Sequence, residues 1–382
     1  MMGEPSPNQK LYYQITVDQF VSDEHPFRKI RPLIDTGHIR KLCTPLYSQT
    51  GRPSIPPEQL MLALVAGYVM GITSERKIVM HLQSDMAFRW FVGLDIDAPV
   101  WDASTFSQNR RRRFDDSGVM EKLFDRVIRK AREHHLISSH VSVDGTLVRA
   151  NASQKSFAPI EVKMSAAEYR KKLREDNDGE EDSGNPTVDF RGEKRSNATH
   201  RSTTDPDCRL ARKSHTEGAV PAYTVNGVME NRNRFLLSVG PEIFRGPASE
   251  HDGTKKHLTR IKKKFRWKPT TLGGDKGYFA EAFIKDLCGR GIAPHIAAKE
   301  IGKTPWHVRV RKKAAQAGYQ MSQRARKKIE ELWGEAKEFH GFRRFRRRGL
   351  AKVTEESWFV GWILNLKRLA KLWKPPPAVA TA

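Results

Sequence analysis

The chain has 382 residues, 38% of them hydrophobic and 9% aromatic, which is enough to bury a core in two domains or three and excludes a disordered chain. Its formal net charge of +24 exceeds what solubility requires and predicts a polyanionic partner, nucleic acid first and an anionic membrane surface as the rival. No stretch approaches the ~20 apolar residues of a membrane span, the N-terminus carries no signal-like apolar region, and Cys43, Cys208 and Cys288 make neither a disulfide framework nor a zinc spacing, so a reducing, cytoplasmic setting is expected.

Residues 8–50 read as short helices and turns. The first strong helix starts in Gly51-Arg-Pro-Ser-Ile-Pro-Pro-Glu58, where Ser54 can cap and the prolines suit a first turn. Leu60, Met61, Leu64, Val65 and Tyr68 give it a 3.6-period face, and it stops near Gly71. Two short helices follow, Ser74 to Gln83 and Met86 to Phe91, separated by Ser84-Asp85; they suit a helix-turn-helix and equally any small bundle. Asp102-Ala-Ser-Thr105 offers caps for a helix leading into Arg110, Arg111, Arg112 and Arg113. That run is either a solvated surface or, in a chain of this charge, a phosphate contact. Val119, Met120, Leu123, Phe124, Val127, Ile128 and Ala131 mark a long amphipathic helix ending around His135, so residues 1–138 read as an all-α domain without a catalytic cluster.

The pattern then changes. Residues 139–376 read as an α/β domain, with 377–382 as a tail. Val141 and Val143 alternate with polar residues in a strand, His140 to Arg149, that carries Asp144; alone, an Asp-Gly in a strand is usually a turn or bulge. Residues 152–218 read as an insertion, with an acidic, apolar-poor run from Glu175 to Pro186 expected to be mobile and a denser return at Thr204 to Lys213. Ala222 to Met229 and Phe235 to Gly240 form a hairpin, and Glu250 to Phe265 a basic helix running into Lys262-Lys-Lys-Phe-Arg-Trp-Lys268. A strand from Thr270 ends in glycines at Asp275, where open α/β sheets present ligand-binding groups. A helix at Ala280 to Leu287, a strand at Ile292 to Ile296 and a basic linker lead to a last helix, Ser322 to Phe339.

In that helix Ile329, Leu332, Trp333, Ala336 and Phe339 share a face directed into a core. Arg326, Glu330 and Lys337 fall at roughly 60°, 100° and 80° from Ile329, a polar stripe along the edge of that face. By itself this is an ordinary salt-bridged surface helix. The element order, however, is three strands, helix, strand, helix, strand, helix, with acids after the first and fourth strands and on the last helix. This is the order of the ribonuclease H-like fold, a mixed sheet flanked by helices in which the first and fourth strands are neighbours. Asp144, Asp275 and Glu330 then meet, and three uncompensated carboxylates make a site for Mg²⁺, with Mn²⁺ as substitute. Two ions roughly 4 Å apart suit phosphodiester chemistry.

At this point the chain resembles the DDE transposases of the insertion-sequence-five type and their eleven-eighty-two relatives. Arg326, Glu330 and Lys337 match the last three positions of that family's C-terminal signature at its spacing, while Gln323 stands where the family has a tyrosine. Val143-Asp-Gly-Thr146, Asp205-Pro-Asp with Lys213, Gly274-Asp-Lys-Gly-Tyr278, Arg347-Arg-Arg-Gly-Leu-Ala-Lys-Val353 and Asn365-Leu-Lys-Arg368 extend the likeness, as do Gly51 to Glu58, Ile72 to Arg76, Phe88 to Leu94 and Ser104-Thr-Phe in the helical domain. The resemblance implies a DNA transposase whose Asp144, Asp275 and Glu330 hold two Mg²⁺ ions, cleaving at terminal inverted repeats and then joining the freed 3′-hydroxyl to target DNA. It also implies double-stranded DNA as partner, a homodimer or higher oligomer on that DNA, an N-terminal domain for DNA binding and end pairing, and a bacterial, nucleoid-associated protein. Arg326 and Lys337 are candidate phosphate contacts. Lys262, Lys263 and Lys264, with Arg343, Arg344, Arg346, Arg347 and Arg348 in the aromatic-interleaved run from Phe342, are candidate backbone-tracking residues. A catalytically silent DNA-binding relative and a nuclease that only cleaves are the alternatives.

Overall fold

The computed structural model describes residues 15–51, 53–160, 187–190, 193–213, 217–246 and 248–373. Its contacts separate Met1–Arg112 from Arg113–Ala382. The long helix at Val119–Glu133, which the sequence pattern groups with the N-terminal helices, therefore falls within the second unit. The acidic run expected to be mobile lies outside the described residues.

The first unit is helical: α1 (Pro26–Ile30), α2 (Thr36–Cys43), α3 (Pro57–Val69), α4 (Glu75–Ser84), α5 (Met86–Val92) and α6 (Ser104–Asn109). Helix α3 is its centre. Leu60, Met61, Leu62, Ala63, Val65, Ala66 and Tyr68 are all buried, so it is apolar around most of its circumference and is packed on several sides. It begins at Pro57 after Pro56 rather than at a Ser54 cap, because a proline at the first helical position loses no hydrogen bond. Asp85 caps α5 by accepting from the Ala87 and Phe88 amides at 2.8 and 3.3 Å. Gly93 ends that helix in the left-handed region at φ 78°. Arg89, only 4% exposed, is satisfied by the carbonyls of Leu82, Asp95 and Ala98, which pins the loop after α5. Asp102 accepts from the Ser104 amide at 2.7 Å at the start of α6, as its position in the sequence suggests.

The second unit is built on a six-stranded mixed sheet. Strands β1 (His140–Arg149), β6 (Arg209–Ala211), β7 (Val220–Glu230), β8 (Leu236–Glu242), β9 (Thr271–Gly274) and β10 (Ala293–Ile296) run in the order β10-β9-β1-β7, with β6 and β8 on the other edge of β7. β1 and β7 are antiparallel, and β1, β9 and β10 are parallel. This is the ribonuclease H-like arrangement of the element order read from sequence. Two ribbons, β2 (Phe157–Pro159) with β5 (His200–Ser202) and β3 (Thr187–Phe190) with β4 (Glu193–Ser196), lie outside it. The stretch read as an insertion thus supplies an edge strand, β6, whose three residues are too short to show a period.

Helices α7 (Val119–Glu133), α8 (Ala248–Phe265), α9 (Glu281–Gly289), α10 (Pro305–Ala314), α11 (Ala317–Phe339) and α12 (Leu350–Leu372) complete the unit, α8 to α12 against the sheet and α7 against α12. Two of them differ from expectation. The basic linker folds as α10, started by Pro305 and burying only His307 and Val310, too few apolar residues for a visible period. α12 is apolar nearly all round because it lies between α7 and the sheet: a Cβ on Gly361 would stand 2.8 Å from Phe124 and 3.1 Å from Val239. Asn365 in α12 clamps the first residue of β8, accepting from the Leu236 amide at 2.8 Å and donating to its carbonyl at 2.9 Å. Asp205 and Asp207 cap the start of α12 by accepting from the Gly349 and Leu350 amides. Among the described residues no helix is long and apolar enough to cross a membrane.

Candidate active site

Both strand acids stand at the same level, Asp144 within β1 opposite Gly227 of β7 and Asp275 just past the end of β9. The parallel pairing of β1 with β9 ends at Ser142 opposite Gly273, and Asp144 and Asp275 each stand two residues further on. Asp275 also caps a 3-10 turn, accepting from the Gly277 amide at 2.8 Å, which holds one of its carboxylate oxygens.

Helix α11 brings the third acid. It lies on the sheet where β7 and β9 carry glycines: a Cβ on Gly227 would come within 2.7 Å of the Trp333 ring, and one on Gly273 within 3.0 Å of Ser322 Oγ. Ile329, Leu332, Trp333 and Ala336 form its buried face, whereas Phe339, the last residue of the helix, is 60% exposed and not part of the core the periodicity assigns it to. Gln323, standing where the family's signature has a tyrosine, donates through Nε2 to the Gly274 carbonyl at 3.2 Å and to the His295 carbonyl. It fastens α11 to the ends of β9 and β10, next to Asp275. Glu330, 58% exposed, accepts from Arg326 at 3.0 Å. Its neighbour Glu331 faces away, paired with Arg234 and Lys328.

A fourth carboxylate, which the sequence pattern shows only as the first residue of a basic helix, is present. Glu250 in the first turn of α8 packs against Gly145, beside Asp144: a Cβ there would stand 2.7 Å from Glu250 Oε1. Burial first, then the neighbouring carboxylates of Glu250, Asp275 and Glu330, push the Asp144 carboxyl up to about 7 against the pull of Arg326. Burial and, second to it, the Asp275 carboxylate push Glu250 up to about 7 as well. No spacing rule points to Glu250, because its place depends on how α8 docks.

Cations flank this group. Lys337 donates to Thr146 Oγ1 at 2.5 Å. Burial lowers its pKa, and so do Lys213 and Arg343, while Asp144 opposes them. Lys337, Lys213 and Arg343 therefore form a cationic cluster alongside the acids. Of the other candidate DNA-contacting residues, Arg111, Arg112, Lys262, Lys263, Arg344, Arg346 and Arg348 are exposed. Arg110 is paired with Glu75, and Arg113 is partly buried. Lys264 is paired with Glu121 at 3.0 Å, and Arg343 with Glu338. Arg347 is 11% exposed and held by Asp115 and Glu355. Phe342 and Phe345, read as interleaved with these cations, are core residues at 1% exposure. Their segment runs beside the end of β1, with the Arg149 amide donating to the Arg343 carbonyl at 3.1 Å and the Phe345 amide to the Arg149 carbonyl at 2.8 Å.

Residues 136–366 match the family profile described as "Transposase DDE domain", more than half of the chain. The chain belongs to the DDE transposase family. Residues 15–112 match the "Transposase domain (DUF772)" profile, so the first unit is one that accompanies transposases. The family membership implies DNA transposition, and DDE transposases generally use divalent metals. No curated protein matches the sequence. Among solved structures, the chain is similar to a piggyBac transposase in a synaptic complex with hairpin DNA, at 10% identity and a TM-score of 0.38, over 91% of this chain and 74% of that one.

The donors fit a hard divalent cation in chemistry. All four acids offer oxygen, and neither Asp144 nor Glu250 has a hydrogen-bond or ion-pair partner among the described residues. As placed, no three acidic, histidine or cysteine side chains among the described residues form a closed cluster for an ion. Glu330 is turned to Arg326 instead.

Proposed function

We propose that this chain is a transposase of the insertion-sequence-five type that cleaves DNA at the terminal inverted repeats of a mobile element and joins the freed 3′-hydroxyl to target DNA. The observation that carries the reading is the common level of Asp144 and Asp275 beyond the β1–β9 pair, with Glu330 on the helix laid against the same strands. Asp144, Asp275 and Glu330 would hold Mg²⁺. When bound, Mg²⁺ supplies Lewis acidity, favouring the attacking oxygen as a nucleophile and neutralising charge on the leaving oxygen.

The chain's own residues do the rest. Asp275 keeps one orientation through the Gly277 amide, and Gln323 holds α11 at the strand ends. Lys337, with Lys213 and Arg343 beside it, neutralises a DNA phosphate next to the carboxylates; Arg326 exchanges Glu330 for phosphate when DNA enters. Two successive displacements at one site need such positioning and charge, and no protein nucleophile. The cations on the run from Arg343 to Arg348, on Lys262 and Lys263, and on Arg111 and Arg112 track the backbone, giving affinity rather than sequence choice. The working form is a dimer or larger assembly on DNA.

The test is a Mg²⁺-dependent cleavage and joining assay on duplexes carrying the element ends. Asp144→Asn, Asp275→Asn and Glu330→Gln are each expected to abolish both steps and leave DNA binding largely intact. Joining at the wild-type level by any one of them removes that carboxylate from the mechanism.

A further inference from the structure

We propose that the loop from Lys299 to Lys303, the outer side of α10 and the cations Arg324 and Lys327 of α11 form a second surface for duplex DNA, on the β10 side of the acids; this rests on the transposase reading of the site. Between Lys299 and Lys328 the chain has ten lysines and arginines and one acid, Glu300, so this short stretch carries +9 of the formal +24. Arg326 and Lys328 are paired with Glu330 and Glu331. Arg311 is spent on the loop, donating to the carbonyls of Lys299, Glu300 and Ile301 at 2.9, 2.9 and 3.2 Å. Lys299, Lys303, Arg309, Lys312, Arg324 and Lys327 are exposed, and none of them makes an ion pair among the described residues.

The fold sets these cations beside the acids. The Ala297 amide donates to the Gly274 carbonyl at 3.0 Å, so the chain leaves β10 next to the residue that precedes Asp275. The Tyr319 hydroxyl donates to the Ile296 carbonyl at 2.9 Å and brings the start of α11 back to the same strand end. Between these anchors the Arg311 clamp gives the loop one shape, and Ile301 within it is 85% exposed, so the loop stands out from the body of the unit. Helix α10 buries only His307 and Val310, which leaves Arg309 and Lys312, one turn apart, on its outer side. Folding supplies no reason for this charge. Lys303 stands ahead of the α10 N-terminus, where the helix dipole disfavours a cation, and neighbouring cations one turn apart repel. Bound phosphates offset both effects. Lys337, held by Thr146 of β1, lies with Lys213 and Arg343 on the opposite side of β9 from β10. A duplex whose reacting phosphate rests on the acids therefore meets cations on both flanks, and the flank beyond β10 is the one these six residues hold.

The experiment is binding of the full-length chain to a fluorescent duplex of arbitrary sequence, without divalent metal, followed by anisotropy across a salt series. Arg309→Gln with Lys312→Gln, and separately Lys299→Gln with Lys303→Gln, are each expected to weaken binding by about tenfold at about 0.1 M salt and to reduce the salt slope by about 2. Lys122→Gln with Lys371→Gln removes the same charge from exposed positions on α7 and α12 and is expected to keep the wild-type slope. Melting curves confirm that all three variants fold, and the Lys299 and Lys303 variant is expected to melt no lower than the wild type, having lost cations that the fold does not use. Wild-type affinity and slope in both surface variants overturn the proposal and leave these residues as solvated charge. An equal loss in the Lys122 and Lys371 variant also overturns it, since net charge rather than this surface then sets the affinity. Failure of the folded wild-type chain to bind duplex DNA at all would instead overturn the transposase reading on which the proposal rests.

Discussion

At the scale of single residues, the site is defined by charge that the chain leaves unpaired. Asp144 and Glu250 stand near 7 in the folded chain against ordinary values of 3.8 and 4.5, burial being the first cause of each. The folded state therefore keeps protons that the unfolded chain has already released. The resulting loss of stability is absent below about pH 4 and grows as pH rises towards 7. Melting of the metal-free protein at pH 5 and pH 8 is expected to show higher stability at pH 5, with a smaller difference in Asp144→Asn. An equal difference in the two proteins would mean that Asp144 is not the group being titrated. Lys337 belongs to the same balance, since Thr146 holds its ammonium beside the acids; Lys337→Ala is expected to slow cleavage while leaving the fold intact, measured by single-turnover assay and melting curve.

At the scale of elements, the position of Glu330 depends on how closely α11 lies on the sheet. Gly227 permits that approach under Trp333, so Gly227→Ala is expected to cost about 1–3 kcal/mol by overpacking and to lower cleavage through displaced α11. Denaturant melts and a cleavage assay on the same variant check both parts. Gln323 illustrates what the sequence alone leaves open. Read as a tyrosine lost from a signature, it suggests only a missing ring, whereas in the fold it closes two strand-end carbonyls. Similarly, Asp205-Pro-Asp207 is visible as a motif, yet its work as the cap of α12 spans 144 residues between Asp205 and Gly349. α12 itself lacks a helical period because it is buried on most sides, and periodicity reports only elements with one wet face.

At the scale of the whole molecule, the excess of positive charge is shared between folding and the surface. Arg347 is tied to Asp115 and Glu355, so Arg347→Ala is expected to destabilise the chain by about 3–5 kcal/mol, seen in melting, because it strands two partly buried carboxylates. Arg343 and Arg346 are exposed. Replacing both with alanine is expected to weaken DNA binding for all sequences and to reduce the salt slope by up to about 2, read from affinities across a salt series. An unchanged slope removes this segment from the DNA path. Composition reports the sum of these charges but cannot separate the two uses, since both rest on the same residue types.

The sequence by itself determined the order of the main strands and of the helices with one wet face, the places of Asp144, Asp275 and Glu330 within it, and the polyanion-seeking charge, because each is written in local pattern or in a total. Only the tertiary structure decided that Glu250 packs against Gly145, next in the chain to Asp144, that Phe342 and Phe345 are core, and that Arg347 is spent on ion pairs with Asp115 and Glu355. These depend on contacts between residues far apart in the chain, and such contacts leave no period or spacing behind.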